Sequence, residues 1–408
     1  MYGKKIINQT FSSLKIRNYR LYFTSQIISS IGTWMQVIGQ SWLVLNLTNS
    51  GTALGFTVAL QFLPILILGP WGGVIVDNFP KRKLLYFTQS FAGILALSLA
   101  LLVITNAVQV WMIYCLALCL GLVNALDGPA RQTFIYEMVG KDSLMNAISL
   151  NSVQTNLSRL VGPMIAAILL AAFGLAPLFF FNAFSYIAVL IALSMMNMQK
   201  IQAQPTIAKI SAQLIEGLRY IRTAPIIRTT LLMMFIIGTF TYEFSISLPL
   251  LAKFTFNGTA TAYALLTSAI GIGSLLGAIK AAHRKRVRLS LLVRTAFLFG
   301  ASVLLFAAAP TITVALFIAI LIGFFSITFL TLGNVILQTE SLPHMRGRVM
   351  SLWIAAFLGT TAIGGPIIGF VGETLSPRWS LMVGGIAAII AATIGLGLLK
   401  FQIKNITT

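Results

Sequence analysis

Hydrophobic positions fall into twelve runs, each about 20 residues long or longer and separated by short polar breaks. The first six runs cover 20–45, 53–76, 84–104, 110–129, 147–172 and 176–197. The other six cover 228–252, 260–281, 289–309, 312–335, 347–371 and 379–400. Each matches a helix crossing a hydrocarbon layer of about 30 Å. The pattern predicts an all-α membrane protein of twelve transmembrane helices in two six-helix halves, 1–197 and 228–408. Residues 198–227 form the longest polar break. There Ile207, Ile210, Leu214, Leu218 and Ile221 recur every three or four positions among Lys209, Glu216, Arg219 and Arg222. That spacing predicts an amphipathic linker helix on the membrane surface. Residues 4–20 carry a similar basic, amphipathic pattern.

Polar residues inside the runs are also periodic. Span 1 carries Gln26, Ser29 or Ser30, Thr33, Gln36 and Gln40 on one helical face. Span 5 carries Asn151, Gln154 or Thr155, and Ser158, and span 10 carries Thr328, Thr331, Asn334 and Gln338. Spans 3, 6, 9 and 12 are plainer. The pattern predicts that every third helix faces lipid while the others surround a central solvated cavity. Gln26, Thr33, Gln36, Gln40, Asn151, Thr155, Arg159, Tyr242 and Asn334 are the expected lining. Hydrogen bonding between helices, without a cavity, is the competing explanation for such rows.

Composition agrees: 58% of residues are hydrophobic and 9% charged, against about a quarter charged in soluble proteins. A net charge of +20 would suggest nucleic acid in a soluble chain. Here all but three of the 28 Lys and Arg residues lie at the termini or in alternate loops, the exceptions being Arg159, Lys253 and Arg378. The positive-inside rule then puts both termini in the cytoplasm. Cys115 and Cys119, one helical turn apart in an apolar run, read as packing residues, and both histidines fall in basic loops. No metal site or cofactor is expected.

Two ionisable residues fall deep within spans. Arg159 lies about 18 Å into span 5 at 1.5 Å per residue. It either binds an anionic substrate group, or holds a carboxylate across the halves, or donates to backbone carbonyls. Glu243, near Tyr242 in span 7, is either a proton carrier or a structural hydrogen-bond donor. At the ends of the spans, Gly73, Asp77, Lys81, Arg82 and Lys83 form a latch-like turn after span 2. Asp127, Arg131 and Glu137 cluster near the end of span 4, and Glu340 and Arg346 hold the matching place in the second half. Together they are expected to form a charge network at the inner gate.

The second half echoes the first. Gly73 with Lys81-Arg82-Lys83, Gln132-Thr133 and Gly162-Pro163 recur in order as Gly277 with Lys285-Arg286, Gln338-Thr339 and Gly365-Pro366, each roughly 205 residues on. Like-oriented repeats of six spans imply a pseudo-two-fold axis along the membrane normal.

These residues resemble the major facilitator superfamily. Gly73, Asp77 and the Lys81–Lys83 cluster match its loop signature between spans 2 and 3. Asn78 stands where the family usually has Arg, Pro80 where it often has Gly, and Ala281 where the second copy would have its acid. Leu14-Lys15-Ile16-Arg17-Asn18-Tyr19-Arg20, Gly32-Thr33-Trp34-Met35-Gln36, Asp127-Gly128-Pro129-Ala130-Arg131-Gln132 and Arg159-Leu160-Val161-Gly162-Pro163 resemble the efflux branch that includes enterobactin exporters and macrolide efflux pumps. The resemblance implies a latch role for Gly73, Asp77 and Arg82. It implies a span-5 helix role for Arg159, Gly162 and Pro163.

The expected function is export of an amphipathic small molecule by alternating access, in exchange for protons or another cation. The expected setting is a monomer in the lipid of the bacterial inner membrane. No G-x-x-x-x-G-K-[ST] loop is present to use ATP directly. An intramembrane enzyme would need a catalytic pair at bilayer depth, and a channel would not need paired gate motifs. An uncoupled facilitator or importer of the same fold is the alternative.

Overall fold

The computed structural model describes residues 12–197, 219–282, 287–342 and 345–407, without the side chains of residues 70–74, 77, 282 and 400–407. The described residues are almost wholly helical. Ten helices among them are long and apolar enough to cross a membrane. One of these, Val110–Phe173, is two spans, because Gly140 breaks it with φ 68° and ψ 179°. That backbone conformation is open to glycine and closed to nearly every other residue. Arg17–Thr48, rich in polar positions, is the twelfth span.

The spans are α1 (Arg17–Thr48), α2 (Gly51–Asp77), α3 (Lys81–Ile104), α4 (110–139), α5 (141–173) and α6 (Ala176–Ser194). The second half has α7 (Pro225–Phe240, continued by Phe244–Leu250 and Leu251–Thr255), α8 (Ala260–Ala282), α9 (Leu289–Ala307) and α10 (Ile312–Glu340). It ends with α11 (Arg346–Ile354, Ala355–Gly359 and Thr361–Thr374) and α12 (Pro377–Thr407). The amphipathic-helix expectation for 198–227 falls largely outside the described residues.

Tight turns order the bundle. Between α1 and α2, Asn49 takes the left-handed conformation at φ 50° and Ser50 Oγ caps α2 by accepting from Ala53 N–H. Two expectations are corrected. Helix α4 continues through Pro129 to residue 139 where a loop was expected, so Arg131 and Glu137 are helical. Helix α7 is broken at Thr241–Glu243, within an apparently continuous run. The break keeps its backbone partners: Thr241 Oγ1 donates to Gly384 O of α12 at 2.7 Å, and Phe244 N donates to Tyr242 O at 2.9 Å. Freed groups at bilayer depth persist only when satisfied in this way. Opposite it, α11 carries a π-helical turn at Ala355–Gly359.

The two halves pack alike. In the first, α1 pairs with α5 and α6, α2 with α4, and α3 with α6. In the second, α7 pairs with α11 and α12, α8 with α10, and α9 with α12. Between halves the main seams are α2 on α11 and α5 on α8. A two-fold that adds or subtracts six exchanges these two seams. Exposed apolar rows mark the lipid face: Phe87, Phe91 and Ile94 on α3, Phe184, Ile187 and Ile191 on α6, and Ile386, Ile390 and Ile394 on α12.

Among the described residues, the hydrogen bonds between the halves gather at one end. Call the end bearing Arg17, Lys81, Lys141 and Arg346 the basic end, and the other the far end. At the far end Lys253 Nζ of α7 donates to Leu45 O at 2.9 Å and Asn49 Oδ1 at 2.8 Å. Glu373 Oε2 of α11 accepts from Ser50 Oγ at 2.6 Å and Thr52 N at 2.8 Å. Ser41 and Tyr263 bond across α1 and α8. Gly51 and Gly55 of α2 approach Gly369 and Gly365 of α11 backbone to backbone, leaving no room for a Cβ on Gly55. Apolar cores cross the halves here: Leu43, Leu54 and Val58 pack with Ile246, Leu250 and Ile368. Nearer the basic end, the core of Tyr19, Tyr22, Leu85, Phe134, Met138 and Val189 comes from the first half alone. Among the described residues, hydrogen bonds and apolar cores thus join the halves at the far end, the α2–α11 seam runs on as far as Leu66 and Gly359, and the core nearer the basic end is drawn from the first half alone.

Candidate functional site

The polar face of α1 turns into its own half. Gln26, 3% exposed, accepts from Arg131 Nη1 at 2.6 Å through Oε1. Its backbone oxygen accepts from Gln154 Nε2 at 2.9 Å. Gln154 also donates to Ser30 Oγ at 2.7 Å. Gln36 Oε1 accepts from Asn182 Nδ2 at 2.6 Å, and Tyr186 bonds with Thr33 and Asn182. Gln26 and Gln36 thus join helices within the first half rather than line the space between halves, and Gln40 is buried too. The periodicity identified a polar face, but water and neighbouring helices satisfy such a face equally well. Thr33 alone in this row is exposed.

Asp127 belongs to the same buried network. It is 4% exposed, accepts from Thr88 Oγ1 and Gln89 Nε2 at 2.7 Å each, and pairs with Arg131. Extension of α4 thus places Asp127 and Arg131 on a helix packed within the first half rather than in a loop. Glu137, buried beneath them, lies within electrostatic reach of Lys81. Arg82 donates to Ser194 O at 3.3 Å and lies over the Tyr86 ring at 5.5 Å, while Lys83 is exposed. The side chains of Gly73 and Asp77 are outside the described residues. Glu340 is exposed, and Arg346 Nε donates to Ser341 O at 3.3 Å. The charged turn residues that are described therefore occupy the basic end.

The space between the halves is bounded by other residues. Asn151 and Thr155 of α5 are exposed on the face that leads to Arg159. From Arg159 toward the far end, α5 closes on α8, with Leu160 against Gly271 and Ala166 and Ala167 in the shared core with Ala264. Arg159 thus stands where the halves begin to diverge. Its guanidinium lies over the Trp34 ring at 5.1 Å, and Tyr242 is near enough to act on its charge. Tyr242 donates to Ser326 O at 2.7 Å. Its ring meets those of Phe357 at 5.1 Å, Phe299 at 5.5 Å and Phe244 at 6.4 Å. Asn334 of α10 is half-buried and accepts from Gln338 Nε2. Gly162 packs on Ile31 and Trp34 of α1, beside buried Pro163, and so fixes the height of Trp34. Gly365 with Pro366 belongs to the far-end seam.

Glu243 is separate from Arg159. It is 2% exposed, forms the N-terminal boundary of the Phe244–Leu250 helix, and bonds with Thr361 beside Gly364 of α11. Its Oε1 has no hydrogen-bond partner. The helix break, the π turn and the aromatic group around Tyr242 were absent from the sequence reading. The one local hint was Thr239-Phe240-Thr241-Tyr242-Glu243-Phe244, a cluster of β-branched, aromatic and acidic residues mid-span.

Comparison with known proteins gives the same architecture. The staphyloferrin A transporter of Staphylococcus aureus is 25% identical over 374 residues, 91% of this chain and 93% of that protein. The enterobactin exporter EntS of Salmonella choleraesuis is 27% identical over 388 residues, 93% of this chain and 91% of that protein. Among solved structures, the nucleoside transporter NupG has a TM-score of 0.73 at 12% identity, covering 94% of this chain and 99% of that one. The D-xylose–proton symporter has a TM-score of 0.72 at 14% identity, covering 93% and 97%. At these identities the solved structures bear on the fold alone. A family profile described as transmembrane secretion effector matches residues 8–406, so the chain belongs to the transmembrane secretion effectors of the major facilitator superfamily and is a membrane transporter rather than an enzyme.

Proposed function

We propose that this transporter exports an amphipathic, siderophore-like small molecule by alternating access, in exchange for protons. The observation that carries the reading is the pair of seams between the halves, α2 on α11 and α5 on α8, with the hydrogen bonds of Lys253 and Glu373 joining the halves at the far end. Because a two-fold exchanges the seams, the same surfaces allow a rocking motion that closes the other end. The distribution of Lys and Arg supports a cytoplasmic basic end in the bacterial inner membrane, with both termini inside. The described conformation is then open to cytoplasmic substrate. The relatives' activities, staphyloferrin A transport and enterobactin export, support a siderophore-like cargo, and the second supports the outward direction. In this reading the chain works as a monomer in lipid, with its cargo and protons as partners.

Glu243 is the proton carrier in this reading. It is a buried carboxyl with one unbonded oxygen, at a break in a helix that crosses the bilayer. Its bond with Thr361 inside the second half favours the competing role, a structural donor in an uncoupled facilitator. The test is purified protein in liposomes with an imposed pH gradient and labelled enterobactin or staphyloferrin A. The reading predicts gradient-driven accumulation that Glu243→Gln abolishes. Equal transport with and without the gradient refutes proton exchange. Gradient-driven transport by Glu243→Gln refutes the carrier role.

A further inference from the structure

We propose that Arg159, Trp34, Tyr242 and Phe357 form the recognition site for an organic anion, with a carboxylate, catecholate or sulfonate on the guanidinium and an aryl or hydrocarbon body against the rings. The inference rests on the transport reading, since it assigns the cargo of the space between the halves. It starts from the charge of Arg159. That guanidinium stands at mid-bilayer depth, and no ion pair is formed to it among the described residues. Its Nε is buried without a hydrogen-bond partner. The elements around it supply no carboxylate: α1 offers the Trp34 face, α7 the Tyr242 ring, and α8 the Gly271 backbone. Glu243 follows Tyr242 in sequence but faces Thr361 and Gly364 on α11.

A cation at this depth is costly unless it is paired or wet. The arginine fork matches planar bidentate anions, and a stacked ring fixes its plane while leaving its edge free to donate. The aromatic wall around Tyr242 provides apolar area next to that edge. A cationic cargo would be repelled at the same place. Fixed charge thus selects amphipathic anions over the amphipathic cations that a purely aromatic chamber would also accept.

The test uses three probes with one ring system: dansylglycine (anion), dansylamide (neutral) and dansyl-ethylenediamine (cation). Binding to the full chain is read by fluorescence in phosphatidylcholine nanodiscs, with no gradient. The expected result is dansylglycine bound about tenfold or more tightly than the cation, from charge-assisted bonds to the guanidinium. Arg159→Gln should erase that preference while leaving dansylamide binding within about twofold, which also reports a folded protein. If Arg159→Gln does not fold, Arg159→Lys carries the test: it should keep the sign of the preference and weaken dansylglycine several-fold. An unchanged anion preference in Arg159→Gln, or unchanged dansylglycine affinity in Arg159→Lys, overturns the proposal. Loss, in phosphatidylglycerol nanodiscs, of the difference in dansylglycine affinity between wild type and Arg159→Gln would give the site to a lipid headgroup and overturn the small-molecule assignment. Because no gradient is used, failure here leaves the export reading standing, and failure of proton exchange leaves this result untouched.

Discussion

Removing Glu373 should loosen the far-end seal by a predictable amount. Its Oε2 accepts from Ser50 Oγ at 2.6 Å and Thr52 N at 2.8 Å, fastening α11 to the start of α2. Hydrogen bonds to a charged acceptor contribute about 1.5–3 kcal/mol when shielded. Glu373 is exposed, so screening reduces each to about 0.5–1 kcal/mol. Glu373→Ala then costs the sealed state about 1–2 kcal/mol, which multiplies the far-end-open population by about 5–30. A reporter cysteine at Ala59, in a background lacking Cys115 and Cys119, lies 8% exposed next to the Gly55–Gly365 contact. Its labelling by an impermeant maleimide from the far side should accelerate by the same factor, since only the open form reacts. Glu373→Gln keeps an acceptor without the charge and should give about half the free-energy effect. A labelling rate within about twofold of wild type in Glu373→Ala would refute the reasoning, because the bonds would then not hold the seal.

Other substitutions test other parts. Gly55→Val should hold the far end open, with the Ala59 reporter labelled fast and transport lost, because a side chain there meets Gly365 O. Asp127→Ala leaves half-buried Arg131 with Gln26 but without its carboxylate, and Thr88 and Gln89 without their acceptor. It should destabilise the first half by about 1–3 kcal/mol, read as a lower midpoint of thermal unfolding in detergent, with transport reduced only through lost protein. Gly140→Ala places a side chain at φ 68° and ψ 179°, should cost about 1–3 kcal/mol, and is checked by the same melt.

The span pattern was legible because burial in lipid imposes length and apolarity directly on the sequence. Expected limits of 176–197 and 289–309 compare with Ala176–Ser194 and Leu289–Ala307. The repeated Gly162-Pro163 and Gly365-Pro366 lie in halves whose helices pair alike. Tertiary choices were harder to read. The spacing of Gln26, Thr33 and Gln36 shows one polar face, but not that Asn182, Arg131 and Gln154 meet it. The end of α4 was misplaced because Pro129 and Arg131 look like a loop, whereas tertiary bonds from α1 and α3 keep that segment helical and packed. The α7 break contains neither Gly nor Pro, and Thr241 sustains it by donating to a carbonyl of α12, more than a hundred residues away in sequence. Arg159 stood out by its depth alone, but its stacking on Trp34 required the fold.

The central claim is that the two halves rock as rigid units, so that one end opens as the other closes. Spin labels at Thr105 and Thr313 report the far end, and labels at Asp142 and Thr339 report the basic end. Pulsed dipolar spectroscopy in lipid, with and without an imposed pH gradient and cargo, measures both distances in the same protein. The account predicts a longer far-end distance together with a shorter basic-end distance in the shifted population. Distances that change in the same direction, or a basic end that never narrows, would contradict it.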